Sequence, residues 1–368
     1  MIGLTLGVYF AKHFLRNTLA IFLLFFFLIV VVDMIELTRQ IGQIKGAGFS
    51  DIAMISLFRA PGFAENVLPF AVLFGASATL IILNRKLELV VARASGVSVW
   101  QFLFPVGFAA GLIGILATFV YNPMSLIGQS ASKSAEASVF GAVRGSFSNK
   151  SKNFWIRVNQ KQGDVVIRAQ VAQDNGTRLS AVSVYKFNED GGVTERFDAK
   201  TAQFVEGSSG QNHFLLTSVK ATIPGERARL LQQLELPVDL TKSKLQSDQV
   251  LPDKISIWEL GDYADNALET GKNANAFLTK IQSLLSQPVL FIAMVLIAAT
   301  VSLRFARFGL NGKAILGGVL GGFVLYVFSK LVVTFGSNGL VSPFVSAWTP
   351  ALVASLIGVT VLLHQEDG

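Results

Sequence analysis

Few side chains in this sequence have the types and spacing that catalysis or metal binding requires. The three histidines, His13, His213 and His364, fall in different predicted regions, so we expect no shared metal site. The dipeptide Gly312-Lys313 is followed by alanine and has no glycine upstream at phosphate-loop spacing. The chain has no cysteine, which rules out a disulfide or a thiolate metal site. We therefore expect no catalytic residue, metal or cofactor, and any ATP hydrolysis must come from another subunit.

The charged residues with the most informative spacing lie in Arg85–Trp100, between two long apolar segments. On a helix of 3.6 residues per turn, this stretch has an apolar face and a charged face. The apolar face holds Leu87, Val90, Val91 and Ala94, and the charged face holds Arg85, Lys86, Glu88 and Arg93. Leu89 projects from the charged face, and Gly96 is placed to end the helix.

Two interpretations of this helix remain open from the residues alone. It could lie on the membrane surface, since basic residues beside an apolar stripe are typical of interfacial helices. It could instead dock a soluble partner, because an apolar side chain framed by charges is what a protein groove binds. In the second case we expect Leu89 to face the partner and the apolar face to lie against the protein's own spans.

The composition predicts a membrane protein. Only 15% of the 368 residues are charged, whereas a soluble chain carries about 25%. Six apolar runs each have about the 20 residues that a bilayer-spanning helix needs. They are Phe14–Met34, Phe63–Leu83, Gln101–Met124, Leu284–Leu303, Ala314–Phe335 and Val345–Leu363. These apolar runs separate the basic residues that give the net charge of +7. This indicates that the basic residues set the membrane topology and predicts no nucleic-acid partner.

The basic residues also predict the orientation of the spans. The first run is too long for a secretory signal and no cleavage site follows it, so we interpret it as a retained anchor. Lysine and arginine cluster before span 1, between spans 2 and 3, and between spans 4 and 5. Both termini are therefore expected in the cytoplasm, with the long segment after span 3 on the other side.

That long segment is predicted to be an all-β domain of the sandwich, barrel or jellyroll type. Its alternating stretches are Phe154–Val158, Asp164–Val171, Ala181–Phe187, Phe197–Val205, Phe214–Ile223 and Leu230–Val238. We divide the chain into residues 1–125 with spans 1–3, 126–270 with the β domain and helical connectors, and 271–368 with spans 4–6. The β domain could be a rigid spacer or a surface that passes on cargo, and the residues do not decide between these.

The stretch Glu88–Ser98 resembles the coupling-helix signature of the LptF/LptG permease family, also called YjgP/YjgQ, in lipopolysaccharide export. Other stretches that agree are Leu68–Phe70 leading into Gly75, Val182–Phe187 and Gly322–Val327. The arrangement of three spans, a β domain and three more spans matches as well. The resemblance therefore covers nearly the whole chain.

The resemblance implies a six-helix α-helical membrane protein with an inserted periplasmic β-jellyroll. It implies a heterodimer with a paralogue, a pair of LptB ATPases, and extraction of lipopolysaccharide from the bacterial inner membrane toward LptC and LptA. The implied coupling residues lie within and beside the helix; they are Arg85, Glu88, Leu89, Arg93 and Gly96. A non-transport scaffold whose β domain binds envelope proteins is the competing interpretation.

The resemblance also directs attention to charges near the outer membrane face. In the family that the chain resembles, several members carry a lysine near the position of Asp33, where this chain has an acid. We expect Lys330 to supply the positive charge and to pair with Asp33 or Glu36 when no lipid is bound; snorkelling to the headgroups is the alternative. Arg39 and Lys45, in the loop expected after span 1, are further candidates for lipid phosphates, or are simply solvated.

Four glycines in span 5 form two overlapping G-x-x-x-G pairs, which let helix backbones approach closely. They are Gly317, Gly318, Gly321 and Gly322. Static packing and a sliding contact that forms a lateral gate are both compatible with this pattern.

Overall fold

The computed structural model describes residues 4–41, 48–144, 151–160, 163–173, 176–188, 192–206, 212–223, 228–238, 251–269, 273–308 and 312–367. They form two compact units. The first combines Met1–Val139 with Pro252–Gly368, and the second is Phe140–Leu251. The helical connectors that we grouped with the β domain, Ala131–Val139 and Ile257–Ala267, fall in the first unit.

The first unit is helical. Its helices are α1 (Leu4–Ile41), α2 (Phe49–Ala64), α3 (Leu68–Arg85), α4 (Glu88–Ala94), α5 (Val99–Leu116), α6 (Asn122–Arg144), α7 (Leu260–Glu269), α8 (Asn275–Phe308), α9 (Gly312–Ser337) and α10 (Pro343–Asp367). A 3₁₀ turn at Glu65–Val67 joins α2 to α3, and a π-helical turn at Ala117–Tyr121 joins α5 to α6.

Six helical segments of the described chain are long and apolar enough to cross a membrane, which confirms the predicted number. They are span 1 (Thr5–Arg39), span 2 (Phe49–Arg85), span 3 (Val99–Glu136), span 4 (Asn275–Ser302), span 5 (Leu320–Ser337) and span 6 (Pro343–Gln365). Spans 2 and 3 are longer than predicted, because helix continues through the 3₁₀ and π turns into more polar sequence.

Spans 3 and 4 pack closely where Pro288 interrupts the hydrogen bonding of span 4. A proline has no N–H, so the carbonyl of Leu284, four residues earlier, loses its helical donor. Thr118 Oγ1 of span 3 donates to that carbonyl oxygen at 2.7 Å. One turn earlier, Gly114 lets the backbones meet, since a Cβ there would lie 2.5 Å from Pro288 Cα. These residues set the spacing between the two spans.

The second unit is a six-stranded antiparallel sheet whose strands follow sequence order. The strands are β1 (Ser151–Gln160), β2 (Gly163–Gln173), β3 (Arg178–Phe187), β4 (Val193–Val205), β5 (His213–Thr222) and β6 (Arg229–Pro237). Each corresponds to one predicted strand, so the inserted all-β domain is confirmed.

In four strands of this sheet, the alternation of inward-facing side chains shifts by one residue. These shifts lie side by side in one row across the sheet. In β3 the buried positions are Leu179, Val182 and Val184, so a step of three precedes the regular step of two. The backbone accommodates the extra residue with a positive φ at Ala181 in β3 and at Ser218 in β5. Both halves of each strand therefore bury the same face, and one apolar cluster forms along it.

Candidate functional site

Helix α4 is bounded on both sides by left-handed backbone. Leu87 has a φ of +62° and separates α4 from the end of α3. At the other end Gly96 has a φ of +88°, which glycine adopts without steric cost. Gly96 N–H donates to Arg93 O and Val97 N–H donates to Ala92 O, both at 3.0 Å, forming a Schellman C-cap. The predicted helix stop at Gly96 is confirmed.

The predicted facing of α4 was wrong. Leu89 is buried with 2% exposure, and Ala92 is buried on the same side. Leu87, Val90 and Val91 are exposed by 61%, 47% and 66%. The left-handed residue before α4 changes the direction of the chain, so the helical wheel of this stretch alone does not tell which face of α4 packs on the bundle. We call the exposed residues Leu87, Val90 and Val91 the α4 stripe.

Leu89 belongs to the apolar cluster that holds the helical unit together at this end. The same cluster contains Phe10 and Phe14 of span 1, Leu83 of span 2 and Phe102 of span 3. Replacing Leu89 with a smaller residue would therefore first disturb how α4 sits on the bundle. This differs from the partner contact that the sequence predicted for Leu89.

Charged residues surround the α4 stripe. Arg85 and Arg93 are exposed, and Glu88 is partly exposed at the start of α4. Glu88 Oε2 accepts a hydrogen bond from Tyr9 Oη of span 1 at 2.9 Å. An apolar stripe of three residues beside charges of both signs can bind in a groove on another protein. These residues have no arrangement for a chemical reaction.

At the other end of the bundle, acids and arginines pair differently from our prediction. Asp33 lies 3.6 Å from Arg59, which also lies 3.8 Å from Glu136. Glu36 lies 3.0 Å from Arg39. Arg59 lies within α2, and Arg39, which we expected in the loop after span 1, lies within α1. Lys45 lies outside the described residues.

Lys330 therefore pairs with neither Asp33 nor Glu36, and that prediction was wrong. Its Nζ donates to Asn66 Oδ1 of span 2 at 3.3 Å and lies 5.5 Å from the centre of the Tyr326 ring. The position of a lysine along a span indicates its depth, but the rotation of the helix decides its partner. Lys330 turns toward span 2, while Asp33 and Glu36 lie on span 1.

Lys330 lines a cavity of about 70 Å³ between spans 2, 4, 5 and 6. Its polar lining also includes Glu65 and Lys280, together with Ser329, whose buried Oγ has no hydrogen-bond partner among the described residues. Polar and charged groups within a membrane bundle usually face a cavity of this kind.

Lys280 is held by an ion pair with Asp253 of the segment before α7. Lys280 Nζ lies 2.7 Å from Asp253 Oδ1. Partial desolvation by the neighbouring protein raises the pKa of the Asp253 carboxyl, but the charge and hydrogen bond of Lys280, together with the charge of Lys330, outweigh this and hold that pKa below its usual value. The stabilising contribution is therefore present at neutral pH and is lost as acid lowers the pH through that depressed pKa. The contribution is small because Asp253 is 83% exposed.

A cluster of hydrogen-bonded polar side chains joins spans 2 and 3 to the segment before α7. Glu65 accepts hydrogen bonds from Asn122 Nδ2 at 3.0 Å and from Ser125 Oγ at 3.1 Å. Asn122 is 2% exposed, and its Oδ1 accepts from the Ile257 N–H at 3.3 Å. This cluster could not be predicted from the sequence, because partners this far apart along the chain meet only in the folded protein.

We expect Asn122→Ala to lower the free energy of unfolding by about 2 kcal/mol, since Glu65 then keeps only its bond from Ser125 and the Ile257 N–H loses its acceptor. Thermal or denaturant unfolding of the detergent-purified protein measures this. Asn338→Ala, at an exposed asparagine after span 5, is the matched control and should leave the midpoint unchanged. Equal midpoints for the two variants would contradict a structural role for Asn122.

The four glycines that we predicted for span 5 all lie in α9, and they divide into two pairs with different surroundings. Gly318 and Gly322 are buried, and a Cβ at these positions would meet Val301 of span 4 and Leu73 of span 2. Gly317 and Gly321 are exposed. The first pair packs span 5 against its own chain, and the second pair leaves a smooth face open to another helix.

The three histidines lie in separate elements, namely α1, β5 and α10. Within the described residues, no group of three or more histidine, cysteine, aspartate or glutamate side chains could hold a metal ion. The geometry therefore favours a membrane protein with two binding surfaces in its helical unit. One is the apolar α4 stripe at one end, and the other is the polar cavity at Lys330 toward the other end.

Comparison with known proteins matches residues 8–364 to the family described as lipopolysaccharide export system permease LptF/LptG. The chain is 24% identical over 359 residues to the lipopolysaccharide export system permease protein LptG of Escherichia coli, covering 92% of this chain and 94% of that protein. It is 24% identical over 367 residues to LptG of Haemophilus influenzae, covering 97% of each. The similarity therefore includes both compact units.

Proposed function

Because the chain belongs to the LptF/LptG family of lipopolysaccharide export permeases, we propose that it extracts lipopolysaccharide from the membrane using energy from a separate ATPase. Members of this family are permease subunits of a transporter and are not themselves catalytic. The chain is a multi-pass inner-membrane protein. The observation that carries the energy-coupling part of the proposal is α4, a short charged helix between spans 2 and 3 with an exposed apolar stripe.

The α4 stripe is the proposed docking surface for an LptB-like ATPase dimer. Exposed apolar side chains rimmed by charge fit a protein groove. Arg85, Glu88 and Arg93 are proposed to fix the position of α4 in that groove, and Gly96 to end the helix there. Leu89 is proposed to act on the inner side, by holding α4 against the spans that must move.

The other proposed partners follow from the family. We propose that the chain forms a heterodimer with an LptF-like paralogue and takes the LptG role in that heterodimer. That role is supported by LptG being the name of both relatives described above. With α4 and both termini in the cytoplasm, the β domain lies in the periplasm and passes lipopolysaccharide to LptC-like and LptA-like proteins. The exposed pair Gly317 and Gly321 is proposed as the face of α9 that moves against the paralogue.

Lys330 is the proposed contact for a lipid phosphate near the outer face, with Arg39 and Lys45 as further contacts from the end of span 1 onward. Among the described residues Lys330 makes no ion pair within 4 Å, and the acceptor of its hydrogen bond, Asn66, is neutral, so an anionic group can displace Asn66. Arg39 is already paired with Glu36 and is 78% exposed, so we propose a weaker contribution from it.

We expect Lys330→Met to reduce photo-crosslinking of lipopolysaccharide to span 5 about tenfold, since a lost charge-assisted contact of about 1.4 kcal/mol corresponds to that factor. Lys330→Arg keeps the charge and should retain most of the crosslinking. Lys200→Met, at an exposed position of β4, is the control. Unchanged crosslinking in Lys330→Met would refute the proposed lipid contact.

Affinity purification of the full chain from its own membranes tests the proposed function. Mass spectrometry of the sample should find an ATPase, a second permease of the same family and bound lipopolysaccharide. A chain that copurifies with envelope proteins and without an ATPase would instead support a membrane scaffold.

A further inference from the structure

The contact between Tyr9 and Glu88 joins α4 to the inner end of span 1. Tyr9 Oη donates to Glu88 Oε2 at 2.9 Å, across 79 positions of sequence. The apolar cluster below this bond contains Leu89 of α4 together with Phe10 and Phe14 of span 1. Span 1 and α4 therefore share one buried cluster and one polar bond at its edge.

The ring of Tyr9 is held in place by its neighbours on span 1. His13 lies one turn further along and meets the Tyr9 ring edge-on, with 4.5 Å between ring centres. Arg16 Nη2 lies 3.2 Å from His13 Nδ1, so the imidazole is held in turn. Phe10 makes a second edge contact with Tyr9 at 5.9 Å. These contacts direct the hydroxyl toward α4.

Glu88 retains capacity for a second partner while Tyr9 is bound. A carboxylate has two oxygens and about four lone-pair sites. Tyr9 occupies Oε2, whereas Oε1 accepts no hydrogen bond from the residues that the structure describes. Glu88 is also the single acidic residue in the stretch Arg85–Trp100. A cationic side chain of a docked protein can therefore bind Oε1 and leave the Tyr9 bond intact.

We propose that Tyr9 is a positioning residue that orients Glu88 toward a cationic side chain of the docked ATPase and connects that contact to span 1. This rests on the proposed function, in which α4 receives the ATPase. Movement of the ATPase then displaces Glu88, and the Tyr9 hydroxyl and the shared apolar cluster transmit the displacement to span 1. Span 1 is only slightly buried within the chain, so it is free to shift against the membrane or a second subunit.

Tyr9→Phe is the test variant, because it removes the hydroxyl and keeps the ring with its contacts. The copurified transporter is reconstituted in vesicles, and lipopolysaccharide released per ATP hydrolysed is measured. We expect Tyr9→Phe to copurify with the ATPase and to hydrolyse ATP, but to release about fivefold less lipopolysaccharide per ATP, a factor typical of a lost coupling. Tyr263→Phe in α7 is the matched control and should keep the normal ratio.

A double-mutant cycle separates positioning from simple stabilisation. In a Glu88→Ala background, adding Tyr9→Phe should cause no further loss, since the hydroxyl then has no acceptor. Glu88→Gln keeps an acceptor for Tyr9, so in that background Tyr9→Phe should again lower the ratio. A lower melting midpoint for Tyr9→Phe with an unchanged ratio would overturn the proposal.

The outcomes also separate this proposal from the function on which it rests. If the ATPase is lost when the α4 stripe is made acidic but Tyr9→Phe behaves normally, docking stands and the positioning role is overturned. If the ATPase remains bound to the acidic stripe, the proposed function itself fails.

Discussion

The double substitution Val90→Asp and Val91→Asp is expected to abolish copurification of the ATPase with the full chain. Both side chains are exposed and apolar, at 47% and 66%, and they form most of the α4 stripe. A carboxylate buried in a docking groove without a partner costs several kcal/mol, so two should weaken binding by more than about 100-fold. Quantitative pull-down of the ATPase from detergent-solubilised membranes measures the effect.

The variant should still insert and fold, because neither valine contributes to the buried cluster. Its melting midpoint in detergent is therefore expected to match that of the unmodified chain. Val193→Asp, at an exposed valine of β4, is the matched control for an added acid and should retain the ATPase. Full recovery of the ATPase with the double variant would mean that α4 lies on the membrane surface.

Gly114→Val is expected to cause a large loss of stability. A Cβ at this position would lie 2.5 Å from Pro288 Cα and 2.8 Å from its nitrogen, so backbone would have to move. Separating spans 3 and 4 would also break the bond from Thr118 Oγ1 to Leu284 O. We expect a loss of about 3 kcal/mol from the overpacking and the unsatisfied carbonyl together.

Gly107→Val is the control in the same span, because a Cβ there meets nothing within 4 Å. Both substitutions replace glycine with valine in an α-helix, so the change in helix propensity cancels when the two variants are compared. Unfolding midpoints in detergent and expression level in the membrane measure the difference. Equal midpoints would contradict the close approach of spans 3 and 4.

The sequence predicted the number of spans, the inserted β domain and the end of α4 at Gly96, because each depends on local pattern. Apolar runs of sufficient length, alternating strands and a glycine after a helix are signals within short windows. Strand ends were less accurate. The prediction started β3 at Ala181, whereas the strand starts at Arg178 and the alternation shifts by one residue at that point.

The facing of α4 could not be predicted, because it depends on one backbone angle. The apolar pattern of Leu87, Val90 and Val91 was correct as a stripe, but Leu87 adopts a positive φ and α4 begins only at Glu88. The chain thereby turns between span 2 and α4, and Leu89 becomes the buried side chain. A leucine carries no sequence signal for that conformation, which is rare outside glycine and asparagine.

The partners of the charged side chains could also not be predicted from the sequence. Lys330 contacts Asn66, and Asn122 joins Glu65 to Ile257, through distances of more than 50 positions along the chain. Hydropathy indicates the depth of such residues in the membrane but leaves helix rotation undetermined. The lining of the cavity at Lys330 therefore emerged only from the packing of spans 2, 4, 5 and 6.

ATP-driven release of lipopolysaccharide from vesicles that contain the copurified transporter tests the central claim most directly. The full chain is purified with its partners, reconstituted with lipopolysaccharide, and supplied with ATP and a soluble periplasmic acceptor. We predict release that requires ATP and is lost when Val90 and Val91 are replaced by aspartate. Release of the same size without ATP, or with the double variant, would contradict a permease driven through α4.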